Sequence, residues 1–326
     1  VPTESRDALR ASYDTALADL RQWQGDPAVL ERARTAFTQL VNRDRNFPLG
    51  YVGLARTEYY AGFMRARTYD QGPLDKAWKY VNHALKLDPQ CYDAHLASSY
   101  ISMARGDYDI ARDSLASAAE IDPASPRHTL AQAHLAEREE EVAESMRLAR
   151  DVVARSQDPI DVRQARQILI GAYGLGGQLE EADAEHREIL KLDPKGAWSH
   201  GNYAQFLLAR DDIDGAVREA EAAVAITPYP IAVNTLARAL LIRARREWDD
   251  NQVAVAGRTL ERVAELAKDD PETYAGLGGF YEGAAIRAKD PSMRTRALEW
   301  YEKALALSPD DPELQKVVAR LKRSRA

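Results

Sequence analysis

The side chains that most often carry out catalysis or bind metals are few and scattered in this sequence. Its six histidines form no HExxH pair and no close cluster with Asp or Glu at metal-ligand spacing. We interpret His95 and His200 as packing residues, because a catalytic histidine needs a positioned partner. The sequence also lacks a G-x-S-x-G nucleophile elbow and a Walker phosphate loop. It therefore predicts no catalytic residue, no metal site, no cofactor and no enzyme activity.

Two glycine-rich segments, 174–177 and 276–279, have the superficial look of phosphate-binding loops. Neither matches G-x-G-x-x-G after a strand, so nucleotide binding is not predicted. The single cysteine, Cys91, excludes an intramolecular disulfide and a cysteine-based zinc site. It follows Pro89 at the start of a predicted helix, where the helix dipole lowers a thiol pKa. Without an adjacent histidine or basic residue, we interpret it as a structural cysteine.

Composition and charge exclude several classes of protein. The 326 residues are 45% hydrophobic and 29% charged, which supplies enough apolar material for a buried core and excludes wholesale disorder. The net charge of -7 and the pI near 5.5 argue against nucleic-acid binding, because proteins that bind nucleic acids normally have a basic surface. No segment approaches the roughly 18 consecutive apolar residues of a membrane helix. We therefore expect no nucleic-acid partner and no membrane span.

The sequence leaves the compartment and the oligomeric state open. Its N-terminus shows no charged leader followed by an apolar run, so it does not distinguish a bacterial cytoplasm from a periplasm or cell envelope. The abundance of arginine and alanine is typical of GC-rich bacterial genomes. We therefore expect a bacterial protein whose location the chain does not specify.

Prolines that stand at the end of similar short sequence segments recur at a fixed interval. Pro89 and Pro123 lie 34 residues apart, and Pro194 and Pro228 are also 34 residues apart. Small or apolar residues precede each of these prolines at spacings that place them on one face of a helix. Before Pro123 they are Ala111, Leu115 and Ala118. The pattern therefore predicts that a helix ends just before each proline. The alanines of this helix lie where it packs closely against a neighbouring helix.

A second helical pattern lies upstream of each of these helices, and its clearest example is Tyr274, Leu277, Gly278 and Tyr281. The two patterns together resemble the tetratricopeptide repeat (TPR), a 34-residue unit with W-x2-L-G-x2-Y, then A-x3-F, then P. The resemblance covers about 14–309. It implies an all-α, right-handed superhelical solenoid whose first helices line a concave groove for a protein or peptide.

We predict about seven to eight helix pairs followed by a capping helix with a polar outer face. Three pairs exceed the repeat length, and the additional residues at 62–73, 243–255 and 283–296 predict extended helix hairpins. Gly106 and Gly177 stand at turns that need a positive φ. The predicted pairs are 5–47, 48–91, 92–125, 126–160, 163–196, 197–230, 231–271 and 272–310, with the cap at 312–323.

The resemblance places aromatic, arginine and amide side chains on the inner face of the first helices. Amides bond a peptide backbone, and rings supply buried area at low entropic cost. Trp198, Asn202 and Gln205 lie on one side of a single predicted helix. The predicted partner-binding residues are Arg56, Tyr59, Tyr100, Arg127, His134, Gln164, Gln167, Trp198, Asn202 and Gln205.

The sequence thus predicts a non-catalytic scaffold that holds a protein or peptide in the concave TPR groove, as part of a bacterial multiprotein assembly. The alternative is a ligand-binding accessory protein of a transport or signalling system, with a small hydrophobic molecule inside the superhelix. An open polar groove favours the scaffold, and a deep cavity lined by apolar rings favours the alternative. The extended hairpins are the other candidate binding surface.

Overall fold

The structure is a computed structural model that describes residues 5–65, 68–266, 268 and 270–323. The chain has the predicted all-α, helical-repeat solenoid fold. Within the described ranges it contains seventeen helices and one two-stranded sheet. The chain divides into two compact units, residues 1–194 and 195–326, called here the N-terminal and the C-terminal unit. The prediction of a single solenoid across both stays a prediction.

The described residues of the N-terminal unit form five pairs of helices and a short β-hairpin, and consecutive helices pack against each other. Its core is formed by leucines, alanines and a few large rings, with Tyr13 and Phe37 fully buried. The helices are α1 (Arg6–Arg21), α2 (Pro27–Arg43), α3 (Pro48–Ala61), α4 (Gln71–Leu87), α5 (Tyr92–Arg105), α6 (Tyr108–Ile121), α7 (Pro126–Arg138), α8 (Val142–Arg155), α9 (Pro159–Leu175) and α10 (Leu179–Leu192).

The C-terminal unit consists of three pairs of helices and a final single helix. The helices are α11 (Ala197–Ala209), α12 (Ile213–Ile226), α13 (Pro230–Asp249), α14 (Val253–Leu266), α15 (Pro271–Ala288), α16 (Pro291–Leu307) and α17 (Pro312–Arg323). Buried Val318 and Leu321 of α17 pack on Leu298 of α16. The apolar face of α17 therefore covers part of α16. Its role as a capping helix stays a prediction.

Aspartates before proline start several helices. Asp26 accepts a hydrogen bond from Ala28 N at 2.9 Å, and Asp290 accepts one from Ser292 N at 2.8 Å. Asp158 accepts from Ile160 N in the same way, at 2.9 Å. This cap starts α9 at Pro159, whereas the predicted helix pair began at 163.

The predicted helix extension at 62–73 is wrong, because the chain forms a β-hairpin there. Strands β1 (Phe63–Arg65) and β2 (Thr68–Tyr69) pair antiparallel, and Asp70 N donates to Gly62 O at 2.8 Å to close the base. Aromatic and β-branched residues favour strands. Residues 66 and 67 lie outside the described residues. The hairpin brings Tyr69 against the ring of Tyr59.

The other two predicted extensions are helical. Helix α13 has 20 residues and α15 has 18, against 13 in α11. The glycine turns also agree with the prediction, since Gly106 has a φ of 83° and Gly177 a φ of 69°. Positive φ of this kind is accessible to glycine without steric cost.

A larger side chain at the buried contact between α11 and α12 should destabilise the C-terminal unit before the N-terminal unit. Ala216 of α12 is fully buried, so Ala216→Phe forces extra volume into the crossing with α11 and should cost about 1 to 3 kcal/mol. Hydrogen exchange should then report faster opening of residues 197–230 than of the N-terminal unit. The control is Ala225→Phe on the same helix, because Ala225 is exposed. Equal loss of protection throughout the chain would contradict the expectation that each repeat is stabilised mainly by contacts with its neighbouring repeats.

Candidate functional site

The structure gathers five of the predicted partner-binding residues in the N-terminal unit. All five are half-buried on α3, α5 and α7, and they are Arg56, Tyr59, Tyr100, Arg127 and His134. The ring centroid of Tyr100 lies 6.4 Å from that of Tyr59 and 5.7 Å from that of His134. The hydroxyls of Tyr59 and Tyr69 share a hydrogen bond of 2.7 Å. These rings form a continuous aromatic row across successive first helices.

A buried ion-pair cluster lies beside this row. Arg127 donates a hydrogen bond to Asp93 Oδ1 at 2.9 Å, and Arg10 Nη2 lies 3.6 Å from Asp93 Oδ2. Burial by itself raises the pKa of Asp93, but Arg127, Arg56 and Arg10 outweigh that effect and hold the pKa below its ordinary value. Asp93 is therefore an ionised carboxylate that ties together α1, α5 and α7.

Helix α1 also reaches the last helix pair of the N-terminal unit. Arg21, its final residue, donates to Asp158 Oδ2 at 2.6 Å and to Asp161 Oδ1 at 2.5 Å, both at the start of α9. Gln24 donates to Asp193 Oδ2 at 2.7 Å. The N-terminal unit is thus closed on itself by α1. Within the same unit, the rings of Tyr59, Tyr100 and His134 contact one another.

Two of the buried polar atoms in this cluster lack a hydrogen-bond partner among the described residues. They are the hydroxyl of Tyr13 and Nε of Arg56. The Tyr13 ring is fully buried, with its centroid 5.8 Å from that of Phe37, and burial raises its pKa above the ordinary value. Arg56 contributes positive charge near Asp93. Sequence reasoning missed Arg10, Tyr13 and Arg21, because no local spacing signals contacts with helices so distant along the chain.

The two predicted amides of α9 lie apart from the aromatic row. Gln164 is half-buried and Gln167 is exposed. Neither amide has a hydrogen bond in the described part of the chain. The structure therefore presents them on α9 without joining them to the other predicted residues. Their role in binding a partner stays a prediction.

The three predicted residues of the C-terminal unit lie on α11. Trp198 is half-buried, and Asn202 and Gln205 are exposed, whereas Tyr203 and Leu207 on the packed side are buried. Neither Asn202 nor Gln205 makes a hydrogen bond within the described residues. Their amides are therefore available to a partner.

An open cavity of about 460 Å³ lies between α13 and α15 of the same unit. Trp248 and Phe280 contribute rings to its wall, with centroids 6.0 Å apart and planes at 86°. Arg245 also lines it, from the helical extension of α13. The sequence predicts candidate surfaces at 243–255 and 283–296 but no cavity, because the cavity depends on how the first helices of two successive pairs pack together.

The glycine segment 276–279 belongs to this same region and is helical, as part of α15. Gly278 packs on the ring of Tyr301, where an added Cβ would come within 2.8 Å of the ring. Gly276 and Gly279 line the cavity. The segment is therefore a helix-packing element and has no phosphate-loop geometry.

Cys91 is the N-cap residue of α5 and is buried. Burial raises the pKa of its thiol to about 11, which outweighs the effect of the helix N-terminus. The thiol is therefore protonated at neutral pH, as a structural cysteine would be.

In the described part of the chain, no group of three or more His, Cys, Asp or Glu side chains has the arrangement of a metal site. None of the helices there combines the length and apolar character needed to span a bilayer.

Comparison with known proteins identifies the fold. No family model and no curated protein matches the sequence. The chain is similar to a chain of the APC/C hetero-tetramer Cut9-Hcn1, with 15% identity and a TM-score of 0.55, over 97% of this chain and 56% of that one. It is also similar to human IFIT1, solved as a dimer with m7Gppp-AAAA, with 13% identity and a TM-score of 0.63, over 98% and 72% of the two chains.

These similarities show that the chain has the TPR fold. The chain spans 56% of the length of the Cut9-Hcn1 chain that it matches. At 15% identity the similarity shows a shared fold only. IFIT1 carries a nucleotide ligand on this fold, so the fold by itself does not exclude nucleic acid. The expected absence of a nucleic-acid partner here depends on the acidic net charge alone.

Proposed function

We propose that this protein is a non-catalytic scaffold that binds a protein or peptide segment, as part of a bacterial multiprotein assembly. The observation that carries the proposal is the exposed amide pair of α11, Asn202 and Gln205, next to half-buried Trp198. Packing of α11 uses the opposite side of the helix, so these amides have no role in the core. An amide donor and acceptor beside a ring suit an extended peptide backbone.

The proposed surface continues from α11 onto α13, which packs beside it. Arg238 follows buried Leu236 by two residues, as Gln205 follows buried Tyr203, so both occupy the same repeat position. Arg238 is exposed and has no ion pair within the described residues. A peptide lying across the two helices therefore meets amides first and then a guanidinium.

The N-terminal cluster supports the proposal in a different way. Arg127 already bonds to Asp93, and Tyr59 already bonds to Tyr69, so their polar groups are engaged within the fold. A partner would have to displace these contacts. For that reason we assign the main contact to the C-terminal unit.

Removing one amide should weaken binding without affecting folding. Asn202→Ala deletes an exposed side chain, so the melting temperature should stay nearly unchanged. Loss of one interfacial hydrogen bond, about 0.5 to 1.5 kcal/mol, should lower partner affinity several-fold. Calorimetric titration with the purified partner and thermal unfolding measure the two effects separately. A sharp fall in melting temperature with intact binding would make Asn202 structural.

The partner itself is best captured by site-specific photo-crosslinking in cells of the source bacterium. A photoreactive residue at Gln205 should give a defined crosslinked product. The same residue at exposed Ala225 of α12 is the matched control and should not. Crosslinking at Ala225 alone would place the partner elsewhere and refute the α11 surface.

A second candidate function is the ligand-binding accessory protein. One observation favours it, namely the cavity of about 460 Å³ between α13 and α15, which falls within the roughly 300 to 1,000 Å³ of small-molecule sites. Aromatic rings in the cavity wall, here those of Trp248 and Phe280, are one of the features that this alternative predicts. The cavity and the α11 amides can be tested independently.

A further inference from the structure

The floor of the α13–α15 cavity is exposed helix backbone. Gly276, Gly279 and Gly283 line it along α15. A Cβ added at Gly283 would meet no atom within 4 Å, so the space above this residue is open. Glycine allows another molecule to approach the backbone closely. A flat ring can therefore lie directly on α15 beside Gly283.

The walls of the cavity are aromatic. The Trp248 and Phe280 rings meet nearly at right angles, in the edge-to-face arrangement that aromatic groups favour. Both side chains are half-buried, so part of each ring faces the cavity. A planar aromatic ligand gains ring contacts here beside its contact with the glycine floor.

One positive charge at the cavity, that of Arg245, has no carboxylate partner in the described part of the chain. Arg243 and Arg246 of α13 pair with Asp214 and Asp211, at 2.6 Å each. Arg245 lies between them in sequence, lines the cavity, and has no hydrogen bond or ion pair within the described residues.

The remaining charged lining residues offset each other, because Asp249 and Arg287 form an ion pair. Among the residues that the structure describes, the cavity therefore presents one free guanidinium, that of Arg245, three residues before Trp248 on the same helix. Positions three apart lie on the same face, so the guanidinium and the indole are close neighbours.

We infer that this cavity binds a small aromatic carboxylate, with the ring between Trp248, Phe280 and the glycine floor and the carboxylate on Arg245. An arginine guanidinium matches a carboxylate through paired hydrogen bonds. The spacing of Arg245 and Trp248 calls for a ring and a carboxylate within one short molecule. A C-terminal aromatic residue of a peptide offers the same combination. The inference rests on the second candidate function and is independent of the α11 scaffold.

The test uses the full chain and two probes of the same shape, 2-naphthoate and its neutral counterpart 2-naphthamide, in calorimetric titrations. Naphthoate should bind at one site per chain, and naphthamide should bind about tenfold more weakly, because it lacks the charge-assisted bond. Equal binding of the two probes would overturn the anion preference while leaving a small-molecule site. Absence of naphthoate binding would overturn the inference and leave the α11 crosslink untouched.

Two substitutions with matched controls locate the site. Arg245→Gln should lower naphthoate affinity about tenfold, whereas Arg243→Gln, which removes a residue outside the cavity lining, should not change it. Gly283→Leu fills the cavity from its floor and should abolish binding. Gly257→Leu on α14 is its control, because a Cβ there also meets no atom within 4 Å. Unchanged affinity in either cavity variant would overturn the inference.

The final titration uses a peptide that ends in tryptophan with a free C-terminal carboxylate. If the small acid is the ligand class, the peptide should bind no more tightly than naphthoate. Tighter binding of the peptide, lost when its C-terminus is amidated, would assign the cavity to a protein terminus and overturn the small-molecule inference.

Discussion

Replacing Asp93 with alanine should destabilise the N-terminal unit by about 3 to 5 kcal/mol, the range for removing one partner of a buried ion pair. Asp93 is 4% exposed and bonds to Arg127 at 2.9 Å. Its loss leaves the Arg127 guanidinium half-buried without its carboxylate, beside the further positive charge of Arg56 and Arg10. Urea unfolding followed by circular dichroism measures the change.

An exposed ion pair in the same unit provides the control. Asp75 accepts from Arg105 at 2.7 Å, but its side chain is 58% exposed. Asp75→Ala should therefore cost only about 0 to 1 kcal/mol. Similar small losses for Asp75→Ala and Asp93→Ala would mean that the buried cluster contributes little to stability.

Acid titration should detect the same ion pair. The pKa of Asp93 is lower in the folded state than the ordinary value of about 3.9 expected in the unfolded chain. The stability that this difference contributes is fully present above the unfolded pKa. It is lost as the pH falls through the folded pKa, because the folded state then takes up the proton. In Asp93→Asn this part of the acid-induced loss of stability should be absent.

Placing a methyl group at Gly53 should destabilise the N-terminal unit by about 2 to 3 kcal/mol. An alanine Cβ there would lie 2.1 to 2.4 Å from ring atoms of Phe37, which is fully buried. Because the ring is buried, it cannot turn out into solvent without disrupting the packing, so Gly53→Ala overpacks the contact between α2 and α3. Thermal and urea unfolding should both show the loss.

Gly174→Ala in α9 is the matched control for this change. It adds the same methyl group to a helix of the same unit, but at a position with no atom within 4 Å of the new Cβ. Alanine favours the helix over glycine, so this variant should be neutral or more stable by up to about 1 kcal/mol. Destabilisation of both variants to the same extent would show that the Gly53–Phe37 contact is not the cause.

The sequence by itself determined the repeat and several of the helix caps and turns. Alanines and prolines at 34-residue spacing predict paired helices, because burial of one helix face is encoded within a few turns. The caps at Asp26 and Asp290 and the positive φ of Gly106 are equally local, since each depends on atoms within about four residues. The exposure of Asn202 and Gln205 follows from the same helical period.

The tertiary structure alone decided which side chains meet across the repeats. The hairpin at Phe63–Arg65 and Thr68–Tyr69 formed where the repeat frame predicted more helix, because strand pairing and ring contacts with Tyr59 replaced helical hydrogen bonds. The contact of Arg21 with Asp161 joins residues 140 positions apart. Such a contact depends on the rotation added by each repeat between them, which no local pattern encodes. The cavity beside Arg245 has the same origin, since its floor and its walls come from two helices whose relative placement only the packed repeats set.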